Sequence, residues 1–242
     1  MSDDYLLGHD ETEWARLSRQ HALWGPSLLS RLRALGAERA LEVGCGSGDL
    51  LAELGGVGIE RDAAAVGRAR SRGLQVLQGD LFEVEPAQPV DLVVARWVFS
   101  FLDRPEQAID RLAGWLRPGG WLVIQDYDHS ALGVWPRQPA VDRVIEGFRS
   151  AYRARGGDLW VAPKVPGWMR ACGLEAIDTA PEVRSGPPGS AVWCWVEDFL
   201  AGHVDTVHRD GHLDDEDLRL FHRAWAGLRR DPGSLLVSPV QL

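Results

Sequence analysis

Over residues 11–35, Trp14, Leu17, His21, Trp24 and Leu28 recur at steps of three and four, and Leu28, Leu29, Leu32 and Leu35 form a second apolar face. That spacing predicts two short helices, divided at Pro26 and stopped by Gly36. The pattern then changes. Ala40, Leu41 and Val43 make a β-favouring run, three glycines follow at alternate positions (Gly44, Gly46, Gly48), and Leu50, Leu51 and Leu54 resume helical spacing. Strand, glycine turn and helix form the crevice in which α/β proteins hold nucleotides, with helix N–H groups facing the ligand.

Further strands are predicted at Val57–Glu60, Gln75–Leu81 and Val90–Ala95, and a fifth follows the turn Leu116-Arg117-Pro118-Gly119-Gly120 and ends near Asp126. Helices Ala63–Arg72, capped by Asp62 and stopped by Gly73, and Pro105–Leu116 alternate with them. In the last hundred residues, Arg143–Arg155, Lys164–Cys172, Ala191–His203 and Asp214–Arg230 read as helices. Leu174–Thr179 and Leu235–Val237 read as strands six and seven, and Pro181–Gly189 as a loop. The pattern predicts one α/β domain over residues 1–242, with a Rossmann-like, mainly parallel seven-stranded sheet and helices on both faces. Residues 1–36 would cap the sheet, 37–126 form its ligand-binding core, and 127–242 supply a helical lid and the last strands.

Composition narrows the partners. A formal net charge of -9 and the absence of a basic run argue against nucleic acid. No apolar run approaches the roughly 20 residues that span a bilayer. Cys45, Cys172 and Cys194 show neither paired nor metal-like spacing, and the acidic start lacks a leader pattern, so a reduced, cytoplasmic setting and a monomer or homodimer are expected. The dinucleotide fingerprint G-x-G-x-x-G fails, because Asp49 stands where its third glycine belongs.

The stretch Glu42-Val43-Gly44-Cys45-Gly46-Ser47-Gly48 instead resembles motif I of the class I S-adenosylmethionine-dependent methyltransferases, small-molecule branch. The resemblance carries motif support over about residues 38–126 and extends more loosely over 5–20 and 160–237. It implies S-adenosylmethionine as cofactor and a small, aromatic or hydrophobic acceptor methylated on O, N or C. Glu42, Gly44, Cys45 and Gly46 would form the cofactor loop, and Glu60, with Arg61 beside it, would hold the ribose. Gly79, Asp80 and Leu81 resemble the segment that meets adenine, Asp80 at its amino group and Leu81 on its ring. Tyr5 and Glu13–Gln20 resemble a capping helix from which Arg16 would reach the methionine carboxylate; a solvated helix face bearing Arg16 and Arg19 is the alternative. Arg96 is either a cofactor contact or a structural ion-pair residue. The same fold and cofactor also serve non-methylating cyclisations and decarboxylations, and a non-catalytic binding module would share these motifs.

Methyl transfer from a sulfonium is an in-line displacement that mainly requires alignment in a water-poor site. A base is needed only where the acceptor loses a proton. Phe101 stands where many family members carry histidine. The ionisable residues left at the carboxyl edge of strand five are Asp126, Tyr127, Asp128 and His129, of which His129 is the candidate base and Asp126 the candidate orienter. Trp97, Phe101, Tyr127, Trp135, Trp160 and His203 are candidate acceptor contacts, with Trp193 and Trp195 in similar segments. Cys45 lacks a partner for nucleophilic work. His203, His208 and His212 include a helical i, i+4 pair, but Asp210 and Gly211 interrupt it, so no metal is expected.

Overall fold

The computed structural model describes residues 11–175 and 177–241; Tyr5 lies outside them. In chain order its elements are α1 (Glu11–Ala34), β1 (Ala40–Val43), α2 (Asp49–Leu54), β2 (Val57–Glu60), α3 (Ala63–Ser71), β3 (Gln75–Gln78), β4 (Val90–Arg96), α4 (Pro105–Gly114), β5 (Leu116–Gln125), β6 (Tyr127–Asp128) and β7 (Gly133–Trp135). Then come α5 (Pro139–Ala154), α6 (Val165–Ala171), β8 (Ser185–Gly186), α7 (Ala191–Arg209), α8 (Asp215–Arg230), β9 (Leu235–Val237) and β10 (Val240–Gln241).

The central sheet is parallel, in the order β3-β2-β1-β4-β5. The central strands β1 and β4 read as near-continuous buried runs because both faces are covered, whereas β3, at the edge, keeps Gln75, Leu77 and Gln78 exposed. In β4, Leu92 and Val94 pack with Leu28, Leu29 and Leu32 of α1, while Val93 and Ala95 pack with Ile109 and Leu112 of α4. Each such buried side chain stabilises the fold by roughly 1.5–3 kcal/mol. The turn expected before β5 appears as a break in register: Val90 pairs with Leu116, and the next pair is Leu92 with Trp121. A third cluster holds α5, α7 and α8 together around Phe148, Trp193, Phe221 and Trp225, over the carboxyl side of the sheet.

Four expectations are corrected. Among the described residues the central sheet has five strands, not seven. Leu174 and Ile177 pack against the α4 side of the core, but no strand forms among the described residues of 174–179. Leu235–Val237 is a strand, yet it pairs antiparallel with β7 and β8 in a separate sheet. Finally, α1 runs unbroken through Pro26. Interior proline costs a helix about 3 kcal/mol; here burial of Trp24, Leu28, Leu29 and Leu32 offsets that cost.

Candidate active site

The loop after β1 is held open by backbone bonds to its neighbour strand. Gly44 and Cys45 N–H donate to the Ile59 carbonyl at 2.8 and 3.2 Å, and Gly46 N–H donates to Glu60 Oε2 at 2.9 Å. Gly44 and Gly46 sit at φ +64° and +54°, in the left-handed region that other residues avoid. A Cβ on Gly46 would meet nothing within 4 Å, so bare backbone borders open space. Glu60 Oε1 also accepts from Asp62 N–H at 2.8 Å, which fixes the carboxylate at the mouth of the loop. Asp62 caps α3 through Ala65 N–H at 2.7 Å, as the sequence predicts.

These residues line one end of a cavity of about 1010 Å³. That is the upper end of the small-molecule range of roughly 300–1,000 Å³ and leaves room for two ligands side by side. Glu42, Gly44, Cys45, Gly46, Glu60, Arg61, Gly79, Asp80, Leu81 and Arg96 all border it. Glu42 is buried, its Oε2 has no hydrogen-bond partner, and burial, opposed by Arg96, pushes its pKa up to about 8. Burial lowers the pKa of Arg96 in turn, with Glu42 opposing. The Cys45 thiol is pushed up by burial and then by Glu42 and Glu60, which keeps it an inert packing group.

From α1, Glu13, Arg16 and Gln20 reach the same cavity. Arg16 is buried, not solvated: it clasps Glu13 with two bonds of 2.7 Å and Gln20 Oε1 with one of 2.8 Å. Arg19 does lie on the solvated face, paired with Asp198. Gln20 also takes the Trp195 indole N–H at 3.0 Å and donates to the Tyr127 hydroxyl at 3.3 Å.

The same cavity also has an aromatic lining. Trp97, Phe101, Tyr127 and His129 border it, and Tyr127 stacks between Trp97 and Trp195 at centroid distances of 6.1 and 6.4 Å. Trp97 adopts φ +55°, which is strained for a tryptophan, and its indole N–H donates to Gln241 Oε1 at 2.7 Å. His129 is buried with Nδ1 unpartnered, and burial, then Arg149, pulls its pKa down to about 3.

Four expected site residues lie elsewhere. Asp126 sits behind the wall, where its carboxylate accepts from the N–H groups of Phe99, Ser100 and Tyr127. It therefore fixes the ends of β4 and β5 and is not an orienter of the acceptor. Trp135 lies on β7, 40% exposed, beneath Arg137. Trp160 stands behind His129, covered by the Arg149 guanidinium at 3.9 Å. His203 bonds the Phe199 carbonyl through Nδ1 at 2.8 Å and backs Glu13. Conversely, sequence reasoning missed Tyr152 of α5, Val196 and Phe199 of α7, and Pro239, all on the cavity. The available signal was the unbroken apolar run Ala191–Val196 that opens α7.

Among the described residues, no His, Cys, Asp and Glu group could hold a metal ion, and no helix is long and apolar enough to cross a membrane. His208 pairs with Asp215 and His212 with Ser150, so the three histidines of that region diverge.

A parallel sheet with a glycine loop and a carboxylate at each of the first two strand ends defines a nucleoside-binding α/β protein. The family model "Methyltransferase domain" matches residues 14–179, and the chain belongs to the class I S-adenosylmethionine-dependent methyltransferases. Among curated relatives, a trans-aconitate 2-methyltransferase of Rhizobium rhizogenes is 35% identical over 111 residues, 42% of this chain and 43% of that protein. A protein named methyltransferase str2, of Strobilurus tenacellus, is 27% identical over 64% of this chain and 60% of its own length. The chain thus spans less than two thirds of these relatives. A putative methyltransferase from Bacillus halodurans shares the fold at a TM-score of 0.55 and 16% identity, over 89% of this chain and 98% of its own.

Within this site, Glu60→Ala is expected to weaken S-adenosylhomocysteine binding by roughly 1.5–3 kcal/mol, the scale of hydrogen bonds to a charged group. Asp80→Ala is expected to cost less, because Leu81 keeps its apolar contact surface. Calorimetric titration of both variants checks the ranking, and a reversed order would show the two strand ends misassigned.

Proposed function

We propose that this chain transfers the methyl group of S-adenosylmethionine to a small, uncharged aromatic or hydrophobic acceptor. One observation carries the reading: one cavity is lined both by acids and bare glycine backbone and by stacked aromatic rings. The residues present suit the cofactor. Gly44 and Gly46 admit close approach, Glu60 is placed for hydroxyl groups, Asp80 and Leu81 for the base, and the unpartnered Glu42 oxygen with Arg96 for an amino acid's ammonium and carboxylate. When bound, the cofactor supplies a methyl group on a sulfonium, already activated for displacement.

The protein's part is then alignment and exclusion of water. Trp97, Tyr127, Trp195 and Phe199 supply flat apolar surface against which an acceptor ring is held. Arg16 of α1 is already engaged by Glu13, so it would offer a polycarboxylate of the kind named for the Rhizobium relatives little charge in exchange for lost hydration. His129, neutral at working pH, serves as a hydrogen-bonding group for the acceptor and not as a strong base.

Isotopically labelled S-adenosylmethionine, offered with a panel of phenols, aromatic amines and trans-aconitate, tests this. Label is expected in an aromatic product, with one S-adenosylhomocysteine formed per transfer. Turnover without S-adenosylhomocysteine, or label in trans-aconitate alone, overturns it. His129→Ala is expected to lower kcat/KM about tenfold, the size of one lost hydrogen bond, while its pH–rate profile keeps the wild-type shape from pH 6 to 9. Loss of a limb near neutral pH in the variant would restore His129 as the base.

A further inference from the structure

The arginine at the cofactor end of the cavity is held from outside by a residue that does not line the cavity. Arg96 Nη1 donates to His21 Nδ1 at 2.9 Å, and His21 Nε2 lies 2.8 Å from Glu53 Oε1. Arginine only donates, so Nδ1 is unprotonated and Nε2 carries the hydrogen given to Glu53. The partners fix the tautomer. The His21 side chain is 12% exposed and that of Glu53 51%, so the series of contacts runs from solvent on α2, through α1, to a buried guanidinium. At its inner end Arg96 lies 4.6 Å over the Trp97 ring and opposes Glu42. The helix makes room for the imidazole: a Cβ on Gly25 would stand 2.5 Å from the His21 ring. Glycine inside a helix costs about 1 kcal/mol against alanine, and here it leaves space for this ring.

We propose that His21 is a positioning residue for the amino-acid end of the cofactor: as an acceptor through Nδ1 it aims Arg96 into the cavity beside Glu42. This rests on the cofactor reading above. The charged groups facing the ring are Arg96 from β4 and Glu53 from α2. Glu42 of β1, Asp49 of α2 and Tyr127 of β6 act on Arg96 from behind, and Arg33 of α1 binds the Glu53 carbonyl.

The test is calorimetric titration with S-adenosylhomocysteine at pH 8, for wild type, His21→Leu and His21→Asn. His21→Leu is expected to bind about tenfold more weakly. His21→Asn, whose amide oxygen is an acceptor near the Nδ1 position, is expected within about threefold of wild type. Wild-type affinity in His21→Leu overturns the proposal, as does His21→Asn binding as weakly as His21→Leu; should the leucine variant not fold, the asparagine variant decides alone, and a tenfold loss in it overturns the proposal. Absence of binding by the wild type at pH 8 would instead overturn the cofactor reading.

Discussion

Gly46→Val is expected to weaken binding of S-adenosylmethionine and S-adenosylhomocysteine by about a hundredfold or more. The residue holds φ +54°, and a β-branched side chain there costs about 1–2 kcal/mol of backbone strain. Relief of that strain would turn the Gly46 N–H away from Glu60 Oε2, a hydrogen bond to a charged group worth about 1.5–3 kcal/mol. The larger of these alternative costs reaches about 3 kcal/mol, which is a hundredfold in affinity. In addition, the new methyl groups would stand in the open space that the ligand needs. Gly48 is a poor substitute target, because a Cβ there drives into Leu74 and disturbs packing beneath the loop. Calorimetry on folded Gly46→Val protein is decisive: unchanged affinity removes the glycine loop from the site.

Glu42→Gln is expected to separate stability from binding. The folded-state pKa of Glu42 is about 8, raised from 4.5 chiefly by burial. A raised carboxyl pKa means that the folded chain holds the proton more tightly than the unfolded chain. Its contribution is therefore fully present below about pH 4.5 and is lost as pH rises through 8. Glutamine mimics the protonated acid, so the ligand-free variant should match wild type near pH 4.5. At pH 8.5 it should exceed wild type by about 2 kcal/mol, or roughly 4–8 °C in Tm for a chain of this size. The same change removes the carboxylate proposed above to meet the cofactor's ammonium group, and affinity should fall about tenfold. Wild type should also release a proton on binding at pH 7, seen as a dependence of binding enthalpy on buffer ionisation heat, and the variant should not. Parallel Tm–pH curves for the two proteins would refute the assignment of an unpaired, protonated Glu42.

The cofactor end was legible because its chemistry is local. Strand, loop and helix lie within fifteen residues, and each glycine and strand-end acid announces a backbone requirement that few other residues satisfy. The acceptor end was not. Tyr152, Phe199 and Pro239 join Tyr127 on the cavity wall only after long excursions of the chain, and nothing in their immediate neighbours distinguishes a cavity wall from core. Asp126 illustrates the same limit from the other side. A carboxylate at a strand end reads as chemistry, yet three backbone N–H groups, two of them supplied from residues 99 and 100, saturate it. His129 borders the cavity, but its low basicity was not legible in the sequence, because burial and the Arg149 charge belong to tertiary packing. Pro26 misled for a related reason: local cost was visible, and the apolar interface that outweighs it was not.

The stack of Trp97, Tyr127 and Trp195 is assembled from a post-strand turn, a two-residue strand and a helix, none of them a rung of the five-stranded sheet. Exchanging these side chains puts no sheet hydrogen bond at stake, whereas a change at Gly44 or Gly46 disturbs the loop backbone itself. Selection on a new acceptor can therefore proceed by single side-chain steps at one end, while the machinery at the other stays intact. For an engineer, a library over Phe101, Val196 and Phe199 searches acceptor space with the cofactor apparatus held constant, and loss of fold should be a rare outcome rather than the main source of failed variants.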